Sequence, residues 1–174
     1  MLVRRLSAAD VGHYRELMLE AYTLAADAFT STAAERAAKP ESWWIKRIAS
    51  PDTLGTAFGA YEAGELVGAV ALEFSGRPKR RHSAALLGMY VRARARSRGA
   101  GSALLAAAIE HVQHRPGLKV ITLTVTEGNE AAIRLYQAAG FAAWGTEPMA
   151  ILTPRGLKNK VHMWRPVVDE PQAV

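Results

Sequence analysis

Apolar positions recur along the chain with two different periods, which predict both helices and strands. A spacing of i, i+3, i+4 and i+7, from Tyr14 to Ala21, predicts a helix that begins after Ser7-Ala-Ala-Asp10. The same spacing from Leu104 to Val112 predicts a longer helix that ends before Pro116. By contrast, residues 66–72 form a continuous apolar run, which is typical of a central strand.

Shorter runs bounded by turn residues predict the remaining elements. The predicted strands are residues 2–6, 53–61, 65–74, 84–91, 119–126, 141–151 and 161–168. Residues 41–49 follow a proline and form a short helix, and Asn129 caps another helix that stops at Gly140. Residues 25–39 are predicted to be a loop or a broken helix, and residues 157–160 a polar turn. This order predicts a mixed α/β sheet with helices on its faces.

Length and composition indicate a single folded domain. The chain has 174 residues and no cysteine, so disulfides, thiol nucleophiles and cysteine metal sites are excluded. We expect one domain over residues 1–168 and a frayed tail over 169–174. The sequence begins without the apolar core of a signal peptide and has no apolar run of membrane-spanning length. We therefore expect a cytoplasmic protein without membrane contact.

The chain is basic, with a formal charge of +6 and an isoelectric point near 9.9. A basic chain is one feature of nucleic-acid-binding proteins. However, eight basic side chains fall into two short clusters, and aromatic residues are not interleaved with either cluster as base stacking requires. The clusters are Arg77, Lys79, Arg80 and Arg81, and Arg92, Arg94, Arg96 and Arg98. They suit a compact polyanion at least as well, so nucleic acid is not the favoured partner.

The second cluster runs into a glycine-bearing loop that precedes the long helix. The first amides of a helix lack partners, and its dipole makes that end positive. Gly99 and Gly101 allow a ligand to approach the backbone, while Arg96 and Arg98 add charge. This arrangement predicts an anion site, most simply for a pyrophosphate. Because the pattern matches neither the dinucleotide fingerprint nor a P-loop, a tight strand-to-helix turn with solvated arginines is the alternative.

Two motifs together resemble the GNAT superfamily of N-acetyltransferases. The first is Val91-x4-Arg96-x-x-Gly99-x-Gly101, and the second is Leu123-x-Val125-x3-Asn129-x2-Ala132-x2-Leu135-Tyr136-x3-Gly140-Phe141. The resemblance implies a mostly antiparallel central sheet, splayed between its fourth and fifth strands, with acetyl-CoA bound in the opening. The cofactor-binding residues that it implies are Met89, Tyr90, Val91, Arg96, Ser97, Arg98, Gly99, Ala100, Gly101, Ser102 and Asn129.

The resemblance also implies catalytic roles. Tyr136 becomes the general acid that protonates the departing thiolate, although a core tyrosine on an amphipathic helix is the alternative. The backbone N–H of Val91 is the implied oxyanion donor. Thr124 stands where many members of the family have a glutamate base, so the base is unassigned. Glu73, Glu127 and Glu35 are candidates, and water alone is another.

Candidate acceptor-site residues lie mainly in the N-terminal helices, which in this superfamily form one wall of the pocket. They are Glu35, Trp43 and Glu73, and core packing is the alternative for Trp43. Because adjacent tryptophans cannot face the same way on a helix, one of Trp43 and Trp44 is expected in the core. The histidines lack metal-ligand spacing, so no metal is expected.

The sequence thus supports an enzyme that transfers the acetyl group of acetyl-CoA to a primary amine, by direct attack in a ternary complex. The replacement at Thr124 keeps open a non-catalytic sensor that binds acyl-CoA. The acceptor is a small molecule or a peptide amine, and a homodimer is a further expectation from the resemblance.

Overall fold

Seven strands form one mixed sheet, in the order β1-β2-β3-β4-β5-β7-β6, in the computed structural model of the chain. The strands are β1 (Leu2–Arg5), β2 (Gly55–Glu62), β3 (Glu65–Phe74), β4 (Ser83–Val91), β5 (Val120–Thr126), β6 (Ala142–Thr153) and β7 (Gly156–Pro166). All neighbouring strands are antiparallel except β4 and β5, which are parallel. The structure describes residues 1–168, so the predicted frayed tail, residues 169–174, lies outside the described residues.

Helices cover both faces of this sheet and build two separate hydrophobic cores. They are α1 (Val11–Leu24), α2 (Ala33–Ala37), α3 (Glu41–Ala49), α4 (Ala100–Gln113) and α5 (Glu130–Ala138). Helices α1 and α3 pack on the face that carries Leu66 and Ala71, and α4 and α5 pack on the face that carries Val67 and Val70. Within residues 1–168, no helix has both the length and the apolar character needed to cross a membrane.

The central strand β3 confirms the prediction made from its continuous apolar run. Seven consecutive residues of this strand, 66–72, are buried. Neighbouring side chains of a strand point to opposite faces, and both faces of β3 are covered by helices. A strand in this position has no solvent-facing side, so the apolar run replaces the alternating pattern of a half-buried strand.

The predictions for two irregular segments have different outcomes. Residues 25–39 form a 3-10 turn, Ala26–Ala28, followed by α2, so the broken-helix alternative is confirmed. The polar turn predicted at residues 157–160 is wrong, because these residues lie inside β7. The hairpin instead turns just before Gly156, whose carbonyl accepts a hydrogen bond of 2.9 Å from Thr153 Oγ1. The polar side chains of residues 158–160 are accommodated because this hairpin is largely exposed to solvent.

The two parallel strands pair at one end only. Ser83–Ala85 of β4 pairs with Val120–Thr122 of β5, and within the described residues the pairing goes no further. A β-bulge at Gly88 also interrupts the pairing of β4 with β3, since Ala69 lies opposite Tyr90 while Ala71 lies opposite Leu87. Beyond the last pair the strands are splayed, as predicted, and their facing backbone edges border an opening.

We predict that Gly88→Ala destabilises the protein. Gly88 has a φ of +63°, a conformation that costs an alanine about 1–2 kcal/mol. The added Cβ would lie 3.5 Å from Tyr14 Oη, an ordinary contact, so backbone strain is the main effect. Urea denaturation should show a loss of about 1–2 kcal/mol in the free energy of unfolding.

The matched control is Gly12→Ala, at an exposed position in α1 where a Cβ meets nothing within 4 Å. This helical substitution should leave stability unchanged or raise it by up to about 1 kcal/mol. If Gly88→Ala were as stable as the wild type, the positive φ at this bulge would not be required.

Candidate active site

The opening between β4 and β5 continues into a cleft with about 930 Å³ of atom-free space. One wall consists of the splayed strand ends and one side of α5. The other wall comes from α1, α3 and the segment between them. The lining residues used below are Tyr22, Phe29, Thr30, Arg36, Arg47, Met89, Thr124, Asn129, Leu135, Tyr136 and Lys160. The fold therefore brings Met89, Asn129 and Tyr136, three of the predicted site residues, to one cavity.

The N-terminus of α4 begins close to this cleft and has no side-chain cap. Gly99 is its N-cap, in the left-handed conformation with φ +82°, and Ser97 also has a positive φ of 59°. A Cβ on Gly101 would lie 3.2 Å from Leu135 and 3.6 Å from Met89, so a larger residue would crowd α5 and β4. Backbone amides in such a turn form an anion-binding concavity. The loop therefore fits a pyrophosphate.

The two arginines predicted to reinforce this site already have partners within the protein. Arg96 donates a hydrogen bond of 2.9 Å from Nε to the carbonyl oxygen of Val91, and its guanidinium lies over the ring of Tyr90. Arg98 pairs with Glu62 at 2.7 Å. Anion binding at this loop would consequently depend on backbone amides more than on guanidinium groups.

The other two arginines of the same cluster, Arg92 and Arg94, pair with glutamates. Arg92 forms ion pairs with Glu16 at 3.5 Å and with Glu20 at 2.9 Å, and both Arg92 and Arg94 contact Glu65. The run of positive charge in the sequence is thus largely a set of salt bridges that join the segment after β4 to α1 and the start of β3. Among the described ion pairs, Arg96 is the member of this cluster without a carboxylate partner.

Two neighbouring residues predicted to contact the cofactor point to opposite sides of β4. Met89 lines the cleft. Tyr90 is only 5% exposed and packs in the core under α1, where its hydroxyl donates a hydrogen bond of 3.1 Å to Glu20. Burial raises the pKa of the Tyr90 phenol. Only the backbone of Tyr90 is therefore available to a molecule in the cleft.

Tyr136 presents a buried phenol to the cleft. It is 6% exposed, packs edge-to-face on Phe141 at 5.9 Å, and has no hydrogen-bond partner for its hydroxyl among residues 1–168. Burial raises the pKa of this phenol to about 12, so it remains protonated at neutral pH. Seven residues earlier, Asn129 caps α5 as predicted, because its Oδ1 accepts a hydrogen bond of 3.3 Å from the amide of Ala132.

The carboxylates considered as bases lie elsewhere. Glu35 is exposed and belongs to the capping box of α2, accepting hydrogen bonds from the amide and hydroxyl of Thr32 at 2.7 and 2.9 Å. Glu73 is mostly exposed and pairs with Arg47 at 3.4 Å, while Glu127 is an exposed residue beyond the end of β5. In the described part of the chain, the cleft is lined by no carboxylate and no histidine.

The adjacent tryptophans separate as predicted, and the outer one leads to residues that the sequence analysis missed. Trp44 is buried in the core at 1% exposure, whereas Trp43 is half-buried in a neighbouring cleft beside Glu73. Two guanidinium groups contact the Trp43 ring: that of Arg36 lies 4.5 Å and that of Arg47 lies 5.3 Å from the ring centroid. The i, i+4 spacing of Trp43 and Arg47 was the one available signal for this contact.

Curated relatives carry names of acetyltransferases. A mycothiol acetyltransferase of Salinispora tropica is 31% identical over 113 residues, which cover 65% of this chain and 35% of that protein. The L-amino acid N-acetyltransferase AaaT of Escherichia coli is 32% identical over 103 residues, which cover 59% of this chain and 62% of that protein. The matched region thus represents about a third of the mycothiol acetyltransferase and under two thirds of AaaT.

Solved structures agree over nearly the whole chain. An acetyltransferase of the GNAT family from Streptococcus pneumoniae superposes with a TM-score of 0.80 at 26% identity, covering 96% of this chain and 99% of that one. The yncA protein of Salmonella typhimurium, solved with its cofactor acetyl-CoA, gives a TM-score of 0.80 at 19% identity, covering 100% and 98%. At that lower identity the likeness concerns the fold alone.

The profile of the Acetyltransferase (GNAT) family matches residues 18–141. This segment begins within α1 and contains both splayed strands, the loop before α4 and the whole of α5. A match over more than half of the chain, with the sheet opened where that fold opens it, establishes that this chain belongs to the GNAT family of acetyltransferases.

Proposed function

We propose that this protein transfers the acetyl group of acetyl-CoA to the primary amine of an acceptor, by direct attack in a ternary complex. The observation that carries the proposal is the cleft between β4 and β5, which is bordered by splayed backbone and by Tyr136. The uncapped start of α4 lies next to Met89 and Leu135 of its lining. The names of the curated relatives and the acetyl-CoA in the yncA structure support the same reaction class.

The residues around the opening fit acetyl-CoA. From Met89 to Val91, β4 has no β5 partner in the described chain. Arg96 already hydrogen-bonds the Val91 carbonyl, and the remaining backbone groups on that side need hydrogen bonds from elsewhere. The amides from Ser97 to Ser102 would hold the pyrophosphate, and Asn129 would contact the cofactor from the start of α5. When bound there, acetyl-CoA supplies the thioester whose acetyl group is transferred.

In this proposal, Tyr136 acts as the general acid. Tyr136 borders the cleft, and the raised pKa of its phenol keeps a proton on Oη at neutral pH. A thiolate leaves more readily when a neighbouring group protonates it, and a positioned acid typically contributes a factor of 10²–10⁴ to the rate. The backbone N–H of Val91 would stabilise the negative charge that develops on the acetyl oxygen.

The acceptor amine must lose its proton before it attacks. Since no carboxylate or histidine of the described chain lines the cleft, and Thr124 holds the position of the missing glutamate, we propose that the amine is deprotonated in solvent. The uncharged fraction of the amine then enters the site. This step requires no enzymic base.

The same absence supports a second candidate function, a sensor that binds acyl-CoA without transferring the acyl group. Thr124 cannot accept a proton from an ammonium group near neutral pH. A sensor would bind CoA tightly and release no thiol with any amine, so turnover distinguishes the two functions.

We predict that Tyr136→Phe lowers kcat about a hundredfold while the Kd for CoA stays within about threefold of the wild type. The substitution removes the proton from the cleft and keeps the ring that packs on Phe141. Thiol release from acetyl-CoA measures kcat, and calorimetry measures the Kd.

The control for this experiment is Tyr61→Phe. Tyr61 lies on β2, and its hydroxyl contacts Asp10 and Arg4 rather than the cleft. Its removal should leave kcat within about twofold of the wild type. A Tyr136→Phe variant that kept more than a third of wild-type kcat would remove Tyr136 from the role of proton donor.

We also predict the form of the pH profile. Values of kcat/KM should rise with pH with unit slope and level off at the pKa of the acceptor amine, because only the uncharged amine reacts. Since the pKa of Tyr136 is about 12, the acid stays protonated and no fall should appear up to pH 10. When one acceptor is replaced by another, the midpoint should shift by the difference between the pKa values of their amines. A midpoint fixed between about pH 6 and 8 for every acceptor would reveal an enzymic base.

A further inference from the structure

The charge that lines the cleft has one sign. Three cationic side chains contribute to its walls, namely Arg36, Arg47 and Lys160, and the described lining contains no aspartate or glutamate. By contrast, Arg94 and Arg98, near the start of α4, are each paired with a glutamate. Positive charge gathered in a concave, partly desolvated site strongly attracts anions.

Arg36 is a cationic residue of the cleft with an unsatisfied hydrogen-bond donor. Its Nε is buried and has no hydrogen-bond partner. The guanidinium is held in place by two aromatic rings, Trp43 at 4.5 Å and Tyr22 at 5.8 Å from the ring centroid, and no ion pair to it occurs within residues 1–168. A buried donor without an acceptor is costly, so Arg36 is poorly satisfied by the protein itself. Because Arg36 also lines the cleft, an anion bound there would compensate its charge.

Arg47 adds a second guanidinium beside the same tryptophan. Its ion pair with Glu73 is long, at 3.4 Å, and the side chain of Glu73 is 60% exposed to solvent. The side chain of Arg47 itself is only 21% exposed. Such a pair with a solvated carboxylate neutralises little of the charge that Arg47 presents to the cleft.

The rest of this wall is aromatic and hydroxylic. Tyr22 and Phe29 pack edge-to-face at 4.9 Å, and the ammonium of Lys160 donates a hydrogen bond to the hydroxyl of Thr30 at the rim. A small apolar group fits against the two rings, while the cations require a negative group close by.

We propose that the acceptor is a small primary amine that also carries a carboxylate, which Arg36 and Arg47 bind. This inference rests on the proposed acetyl transfer and specifies its acceptor class. Planar guanidinium groups bind carboxylates through paired, charge-assisted hydrogen bonds. The carboxylate would hold the acceptor by one end and leave its uncharged amine available for attack. Polyamines are disfavoured, because their additional ammonium groups meet only positive charge.

The first test compares matched acceptors that differ in the carboxylate. Leucine, leucinamide, 3-methylbutylamine and spermidine are incubated with the full chain and acetyl-CoA, and thiol release is recorded. Rates are compared at equal concentrations of uncharged amine, since the amines differ in pKa. We expect kcat/KM for leucine to exceed that for leucinamide at least tenfold, as one charge-assisted hydrogen bond implies. Equal values, or a preference for spermidine, would overturn the proposal.

The second test assigns the effect to the arginines. Arg36→Leu and Arg47→Met should each lower kcat/KM for leucine about ten- to a hundredfold and change that for leucinamide less than threefold. Lys39→Met is the matched control, because it removes an exposed charge just after α2 and should leave both values unchanged. Equal losses for leucine and leucinamide would show that the arginines do not bind the carboxylate.

Arg36 also packs on aromatic rings, so Arg36→Leu is checked by thermal melting and by its Kd for CoA. If that variant does not fold, Arg36→Lys takes its place, since it keeps the charge and loses the planar pair of donors. It should lower kcat/KM for leucine at least threefold and leave the value for leucinamide unchanged. An undiminished preference for leucine in Arg36→Lys and Arg47→Met would overturn the proposal.

A binding measurement separates failure of this inference from failure of acetyl transfer. N-acetylleucine and N-acetylleucinamide are titrated into the protein in the presence of CoA. We expect the Kd of the acid to be at least tenfold lower than that of the amide, whether or not any amine is turned over. If no amine reacts, the proposed transfer fails, but this difference still supports carboxylate binding. Equal Kd values would overturn the inference alone.

Discussion

Three paired residues on each of two parallel strands determine what the rest of this protein can do. Ser83–Ala85 and Val120–Thr122 hold β4 and β5 together at one end, and the remaining length of each strand is free to separate. Because α4 follows β4 and α5 follows β5, both helices begin on the side of the sheet where the strands have parted. The opening, the amides at the start of α4 and the cap of α5 therefore share one origin. If β4 and β5 were paired along their whole length, these two helix starts would not face an opening.

The distribution of charge is as informative as the geometry. The chain carries a net charge of +6, but much of its positive charge near α4 is compensated by glutamates of α1, β2 and β3. Inside the cleft, Arg36 has no carboxylate partner in the described structure and Arg47 has a weak one. Part of the surplus positive charge is thus retained in the cleft, where a small anion would be attracted.

Much of the fold was predictable from sequence, because burial imposes a period on apolar residues. Helix α4 and strand β3 are defined by such periods, and the two motifs located the opened sheet. The hairpin of β6 and β7 was less predictable, since most of its residues are exposed or half-buried and Lys158, Asn159 and Lys160 give this part of β7 a polar sequence. Glu35 was selected for its charge, and only the structure shows that Thr32 holds it as a cap. Arg36 lies in a segment without a period, so its position at the cleft depends on tertiary packing alone.

The burial of β3 on both faces has a consequence for how such a protein changes over time. One core lies beneath α4 and α5, the other beneath α1 and α3, and this strand separates them. Residues in different cores do not contact one another, so substitutions in α1 and α3 should add independently to substitutions beneath α4 and α5. With the acceptor wall and the cofactor loop assigned as proposed above, the two halves of the site would be separately evolvable.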